Sequence, residues 1–236
     1  MFAHLALFRQ RALVTALAAA VIIFIVWNIP ALSGVLYPFR LFVTFVHETG
    51  HGLAALISGG HFEGFVIQQN GGGFALTSGG TRALILPAGY LGAALFGAVV
   101  FYLTNTLPYP RSISLGLAVL LGLVTFLYTD LLSLAFLVGL GMAAVLVLLW
   151  RYADRGVNML ALNLLAILTG LNAVLDLVSL TGNAHISAGP LRNDAAAFSA
   201  EIAPLVPATV WALLWAAIAI ILVGGAIYFS LIRRRR

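Results

Sequence analysis

Long uninterrupted apolar runs restrict this chain more than any other feature of its sequence. Of the 236 residues, 62% are hydrophobic and only 8% are charged. A helix needs about 20 apolar residues to cross about 30 Å of hydrocarbon, and several runs reach that length. Lipid offers the backbone no hydrogen-bond partners, so spanning segments are helices or closed barrels. Because the runs are continuous rather than alternating, we predict an all-α polytopic protein of the cell membrane with about six to seven transmembrane helices.

The chain divides into successive segments of one predicted membrane-embedded domain over residues 1–236. We predict an anchor span at 12–28, a helix with a histidine motif at 36–58, a small β-hairpin at 61–86, further spans within 87–180, a polar loop at 181–205 and a C-terminal span at 206–232. The hairpin is predicted because alternating segments rich in Phe, Val and Ile flank the turn sequence "NGGG". Within the polar loop, we expect Asn193 to cap a short surface helix that ends at Ile202.

The ionisable residues exclude some ligands and partners. There is no cysteine, so disulfides and thiolate metal sites are excluded, and any metal must bind to histidine and carboxylate groups. All the basic residues are arginines, and they lie mostly between the apolar runs or at the chain ends. This arrangement is typical of charge that flanks membrane spans. The expected partner is therefore the lipid bilayer and not a nucleic acid.

The sequence "VHETGH" places His47, Glu48 and His51 inside an apolar run. Residues four apart lie on one face of a helix, so both imidazoles can bind one ion. Glu48 can then reach a water molecule on that ion and act as a general base, as in H-E-x-x-H zinc enzymes. Neutral imidazole favours zinc over harder cations, so we predict one Zn²⁺ ion. The alternative, histidines that hydrogen-bond neighbouring helices, is disfavoured because ionisable groups at membrane depth need a counter-charge.

A third ligand has to come from an acid elsewhere in the chain. Asp176 lies within an apolar helix, with Asn172 one turn earlier on the same face. A buried carboxylate in such surroundings needs a cation, so Asp176 is the predicted ligand and Asp194 is the alternative. Asp130 and Asp154 lie at span junctions, where a helix cap explains the first and an interfacial charge pair the second.

Several of these motifs resemble the site-2 protease class of intramembrane zinc metalloproteases, most closely its small peptidase M50B-like branch. The resemblance rests on "VHETGHGLAALISGG", on the glycine-bearing hairpin that follows, and on "PAGYLGAALFGA" (87–98). It rests more weakly on "NAVLDL" (172–177), which is similar to the second motif of the family, where an asparagine precedes a ligand aspartate. Here leucine follows the aspartate in place of the family's glycine, and no proline precedes it.

The resemblance implies a role for each matching residue. His47, His51 and Asp176 would bind the zinc ion, Glu48 would be the general base, and Asn172 would contact the substrate. The implied activity is a zinc metalloendopeptidase that cleaves membrane-spanning or membrane-associated proteins. An exposed edge of the hairpin would capture the unwound substrate by adding it as a strand, although a purely structural cap over the helix ends explains the hairpin equally well.

Two other functions remain open at the level of the sequence. The first is a non-catalytic relative that binds or escorts membrane partners, although such a protein has no need of Glu48. The second is a metal transporter, although transporters usually show internal repeats, and none is visible in this sequence.

Overall fold

The computed structural model describes residues 2–183 and 193–233, which form helices and one two-stranded sheet. In chain order the elements are α1 (Phe2–Asn28), α2 (Ser33–Ile57), β1 (His61–Ile67), β2 (Gly73–Ser78), α3 (Arg82–Thr106), α4 (Pro110–Tyr128), α5 (Leu134–Tyr152), α6 (Arg155–Asn183), α7 (Asp194–Glu201) and α8 (Ala208–Ile227). A 3-10 turn (Pro30–Leu32) precedes α2, and a π-helical turn (Tyr228–Ile232) continues α8. The predicted all-α architecture with a small hairpin is confirmed.

Among the described residues, six helices are long and apolar enough to cross a membrane, namely α1, α3, α4, α5, α6 and α8. Helix α2 has 25 residues but is not among these six, and it carries Arg40, Glu48 and two histidines. Large apolar side chains face outward on the candidate spans, as Phe126 and Ile221 do. The chain is a multi-pass membrane protein, within the predicted range of six to seven spans.

Small residues let the central helices approach closely. Helix α3 packs against α2, α6 and α8. A Cβ atom added to Gly97 of α3 would lie 2.8 Å from the Cα atom of Gly170 in α6. A Cβ atom on Gly50 of α2 would lie only 2.3 Å from the carbonyl oxygen of Ala88 in α3. In lipid no hydrophobic effect drives helices together, so close backbone packing of this kind drives their association. Here it places α2 and α3 side by side at the histidine motif.

The hairpin is shorter than the sequence indicates. Strand β1 pairs antiparallel with β2, and β2 ends at Ser78 because Gly79 and Gly80 turn the chain with φ angles of 69° and 72°. The predicted second strand to residue 86 is therefore wrong, since α3 begins at Arg82 and contains Pro87. The backbone N–H groups of residues 84 and 85 both donate to the Thr81 carbonyl, which closes a helical turn instead of a strand ladder.

Helix α7 is capped as the sequence predicts, because the Asn193 side chain accepts a 2.8 Å hydrogen bond from the backbone N–H of Ala196. It is not a surface helix, however. Phe198 is buried against the rings of Trp211 and Trp215 in α8, with ring centroids 4.5 and 5.5 Å away. This packing attaches α7 to the bundle. Of the predicted polar loop 181–205, residues 184–192 lie outside the described residues.

One of the two junction acids has a simple structural explanation. Asp154 accepts a 2.9 Å hydrogen bond from the backbone N–H of Val157 and so caps α6. The predicted helix cap by Asp130 is wrong, because Ser133 caps α5 by accepting from the backbone N–H of Phe136. Neither acid belongs to the group of possible metal ligands found among the described residues.

Candidate metal centre

Three potential ligand atoms meet where α2 and α7 approach each other. The Nε2 atoms of His47 and His51 are 3.0 Å apart. Asp194 Oδ2 lies 3.1 Å from the first and 3.3 Å from the second. Ligand atoms about 2.0–2.1 Å from a tetrahedral zinc ion are separated by about 3.3 Å. The observed triangle therefore has close to the size that such an ion requires.

The protonation of His51 follows from its outer hydrogen bond. Its Nδ1 atom lies 2.7 Å from the carbonyl oxygen of Ile85 in α3. A carbonyl only accepts, so Nδ1 carries a proton, and in the neutral form that binds metals Nε2 would turn a lone pair toward the other two ligand atoms. A lone pair facing a carboxylate oxygen at 3.3 Å is repulsive unless a cation or a proton lies between them. The backbone contact thus orients the ring as outer-shell partners do in known metal sites.

Gly89 of α3 leaves the space that an ion at this triangle needs. A Cβ atom at this position would lie 2.3 Å from His47 Nε2 and 2.5 Å from His51 Nε2. These distances are close to a zinc–nitrogen bond of about 2.0–2.1 Å. Glycine therefore keeps the space beside both ligand nitrogens empty of side-chain atoms, and the donor set and the space both fit a metal ion.

Glu48 lies beside these ligands and beneath the hairpin. Its side chain is buried, and a Cβ atom on Gly73 would come within 2.8 Å of its Oε1 atom. The hairpin is held in this position from α2. The Tyr37 hydroxyl donates to the Gln69 carbonyl at 2.8 Å, and the Thr44 hydroxyl donates to the carbonyl of residue 71 at 2.6 Å. Together the motif, the hairpin turn, α3, α6 and α7 enclose a cavity of about 430 Å³.

The carboxyl group of Asp194 is charged in this environment. Burial by itself would raise its pKa, but the adjacent imidazoles of His51 and His47 hold the pKa well below its ordinary value. Its place in the first turn of α7 also suits a negative charge, because the backbone N–H groups there are directed toward it. The ligand triangle thus contains one full negative charge.

The structure separates the two candidate third ligands. Among the described residues, the group able to hold a metal ion consists of His47, His51 and Asp194, and Asp176 is not part of it. Asp176 instead lines the same cavity from α6, and it also lines a second cavity of about 430 Å³ beside Asn172. The geometry favours Asp194, the alternative, over Asp176. Asn172 does not line the cavity of the ligand triangle, and its predicted role in substrate binding stays a prediction.

One signal in the sequence distinguishes Asp194 in retrospect. In "GPLRND" an asparagine directly precedes the aspartate and a proline lies upstream, as in the second motif of the resembled family. The run around Asp176 lacks the proline. Asp176 was the more conspicuous acid in the sequence because it lies within an apolar helix. The observed contact, however, joins His47 to Asp194 across 147 positions of the chain.

Six candidate spans and a partly buried His–His–Asp group define a multi-pass membrane protein with a candidate metal centre. The family model of the Peptidase M50B-like proteins matches residues 16–226, and the chain belongs to this family. No curated protein and no solved structure matches the chain.

Proposed function

We propose that the protein is a zinc-dependent endopeptidase of the cell membrane that hydrolyses peptide bonds in membrane-spanning or membrane-associated proteins. The observation that carries this proposal is the ligand triangle of 3.0–3.3 Å with a buried glutamate beside it. Membership of the Peptidase M50B-like family supports the same activity. Neither observation favours an escort protein or a transporter.

The chemistry divides among four side chains. His47, His51 and Asp194 would hold the ion, which matches the two imidazoles and one carboxylate of many catalytic zinc sites. When bound, zinc would supply Lewis-acid chemistry, which polarises a carbonyl and lowers the pKa of a water molecule. Glu48 would accept a proton from the attacking water and deliver it to the nitrogen of the leaving amine. Its burial against β2 keeps bulk water away from the carboxylate.

The hairpin supports a way to hold the substrate. The hydrogen bond from Gln68 N to the carbonyl of residue 72 sets the alternation of the antiparallel ladder. By this alternation Gly73 and Ala75 direct their backbone groups away from β1, and the Ala75 N–H donates to the Glu48 carboxylate. β1 is already covered, because Gly64 lies against the Tyr128 carbonyl. The outward groups that Glu48 does not engage are those of Gly73 and the Ala75 carbonyl. An unwound substrate segment would therefore add to this part of the outer edge of β2, within the cavity and beside the general base.

The first test compares two variants of the motif in purified protein. We expect about one zinc ion per wild-type chain, its loss in His47→Ala, and its retention in Glu48→Gln. A lysine-flanked Leu/Ala peptide of about 22 residues with a central Asn–Gly break, reconstituted in liposomes, serves as the substrate probe. The wild type cleaves it and Glu48→Gln does not. Equal cleavage by Glu48→Gln would refute the peptidase mechanism, and zinc flux that survives this substitution would favour a transporter.

The second test assigns the third ligand. Asp194→Asn removes the charged ligand, so we expect zinc affinity to fall by about 100-fold or more. Asp176→Asn changes a cavity-lining residue outside the triangle, so we expect a change of less than about threefold. Titration of metal-free protein against a chromogenic zinc chelator measures both. The reverse order of effects would restore Asp176 as the ligand.

A further inference from the structure

Attack on a peptide carbonyl creates negative charge on its oxygen, and a hydrogen-bond donor directed at that oxygen accelerates the reaction. An inference about such a donor rests on the proposed peptidase function. Besides the two histidines, the cavity wall contains these side chains able to donate: Thr44, Thr77, Arg82, Tyr90 and Asn193.

Two of these donors are already engaged. The Thr44 hydroxyl donates to the carbonyl of residue 71, and Arg82 forms a two-point ion pair with Glu201 at 2.8 and 3.0 Å. Asn193 accepts with its amide oxygen to cap α7, which fixes the amide group at the helix start and leaves its NH2 group as a further donor. Within the described residues, the hydroxyl groups of Thr77 and Tyr90 have no hydrogen-bond partner.

Tyr90 differs from Thr77 and Asn193 because its aromatic ring packs against a metal-ligand candidate. The phenol ring packs against the His47 imidazole, with centroids 4.5 Å apart and planes at 84°. It follows Gly89 directly in α3, so its backbone position is tied to the close approach of α3 to the ligand triangle. Tyr90 also lines the cavity, so its phenol hydroxyl can donate to a group that binds there.

We propose that the Tyr90 hydroxyl donates a hydrogen bond to the scissile carbonyl oxygen as that oxygen becomes negatively charged. The phenol keeps its proton throughout, since Glu48 carries out the proton transfer from water to the leaving nitrogen. The ring contact with His47 holds the hydroxyl in place before the substrate arrives, so little reorganisation is needed during the reaction.

Tyr90→Phe keeps the ring and removes only the hydroxyl. We expect kcat on the liposome probe to fall by about 100-fold, as for the loss of one such donor in other enzymes, with KM and zinc affinity unchanged. Tyr102→Phe is the matched control, because Tyr102 lies on the same helix with an exposed side chain and does not line the cavity. The control should retain wild-type kcat. Unchanged kcat in Tyr90→Phe would overturn the proposal.

A binding measurement separates this proposal from the proposed function. A phosphinic peptide carries a tetrahedral anionic group, whereas its parent amide represents the ground state. In zinc-loaded protein with Glu48→Gln, Tyr90→Phe should weaken phosphinate binding by about 10-fold or more and leave amide binding unchanged. Equal effects on both ligands, or none, would refute the role of Tyr90 while zinc binding still supports the peptidase. Absence of zinc binding in the wild type would refute the proposed function, and the role of Tyr90 with it.

Discussion

Gly89→Ala is the substitution that tests the metal centre most directly. The added Cβ atom would lie 2.3 Å from His47 Nε2 and 2.5 Å from His51 Nε2. Ordinary van der Waals contact begins at about 3.4 Å, so each nitrogen must move by about 1 Å. Both atoms lie at the ends of side chains, so the rings can rotate away without a shift of the backbone. The folded chain should therefore survive, but the ligand triangle should not.

The magnitude follows from the tolerance of a zinc site. Ligand distances are conserved to within about 0.2 Å, and a displacement of about 1 Å for two of three ligands exceeds this several times. Loss of a single outer-shell contact already costs about 10–100-fold in metal affinity. We expect Gly89→Ala to lower zinc affinity by at least about 10³-fold, which corresponds to about 4 kcal/mol.

Competition between metal-free protein and a chromogenic chelator measures this loss, and the zinc-dependent rise in melting temperature provides a second reading. Gly122→Ala in α4 is the matched control, because nothing lies within 4 Å of its added Cβ atom. The control should bind zinc like the wild type, and Gly89→Ala without metal should melt within a few degrees of it. If Gly89→Ala binds zinc with wild-type affinity, the metal does not lie between these imidazoles.

Three further substitutions test the surroundings of the centre. Gly73→Ala adds a Cβ atom 2.8 Å from Glu48 Oε1, so we expect at least about tenfold slower probe cleavage with unchanged zinc content by mass spectrometry. Phe198→Ala removes the packing that holds α7, so the melting temperature should fall in line with a loss of about 3 kcal/mol of stability, and zinc affinity should fall with it. Phe198→Leu should retain most of the stability and most of the zinc affinity. Asn163→Leu leaves the buried amide of Asn105 without its 2.7 Å partner, and we expect about 1 kcal/mol of lost stability by denaturant titration. A smaller loss in the double variant, with Asn105→Leu added, would confirm that the two amides act as a pair, whereas additive losses would contradict it.

Local features of the chain were predictable because they depend on near neighbours in sequence. Apolar runs long enough to span lipid can satisfy their backbone only as helices, so the architecture follows from hydropathy. The spacing of His47 and His51 places both rings on one helical face wherever that helix lies. The Asn193 cap depends on the next three residues alone. The hairpin turn was likewise read from its glycines, although the end of the second strand was not, because "TRALIL" suits a strand as well as a helix.

The complete candidate site depends on contacts that no local pattern contains. Asp194 reaches the imidazoles across 147 positions of sequence, and it does so because Phe198 packs between the tryptophans of α8. Gly89 matters only because α3 crosses α2 closely enough for its backbone to border both ligand nitrogens. The sequence by itself thus determined a membrane-embedded helical protein with two imidazoles and a glutamate on one turn. Only the tertiary packing decided which carboxylate joins them and how much space remains between, since both depend on how distant helices approach each other.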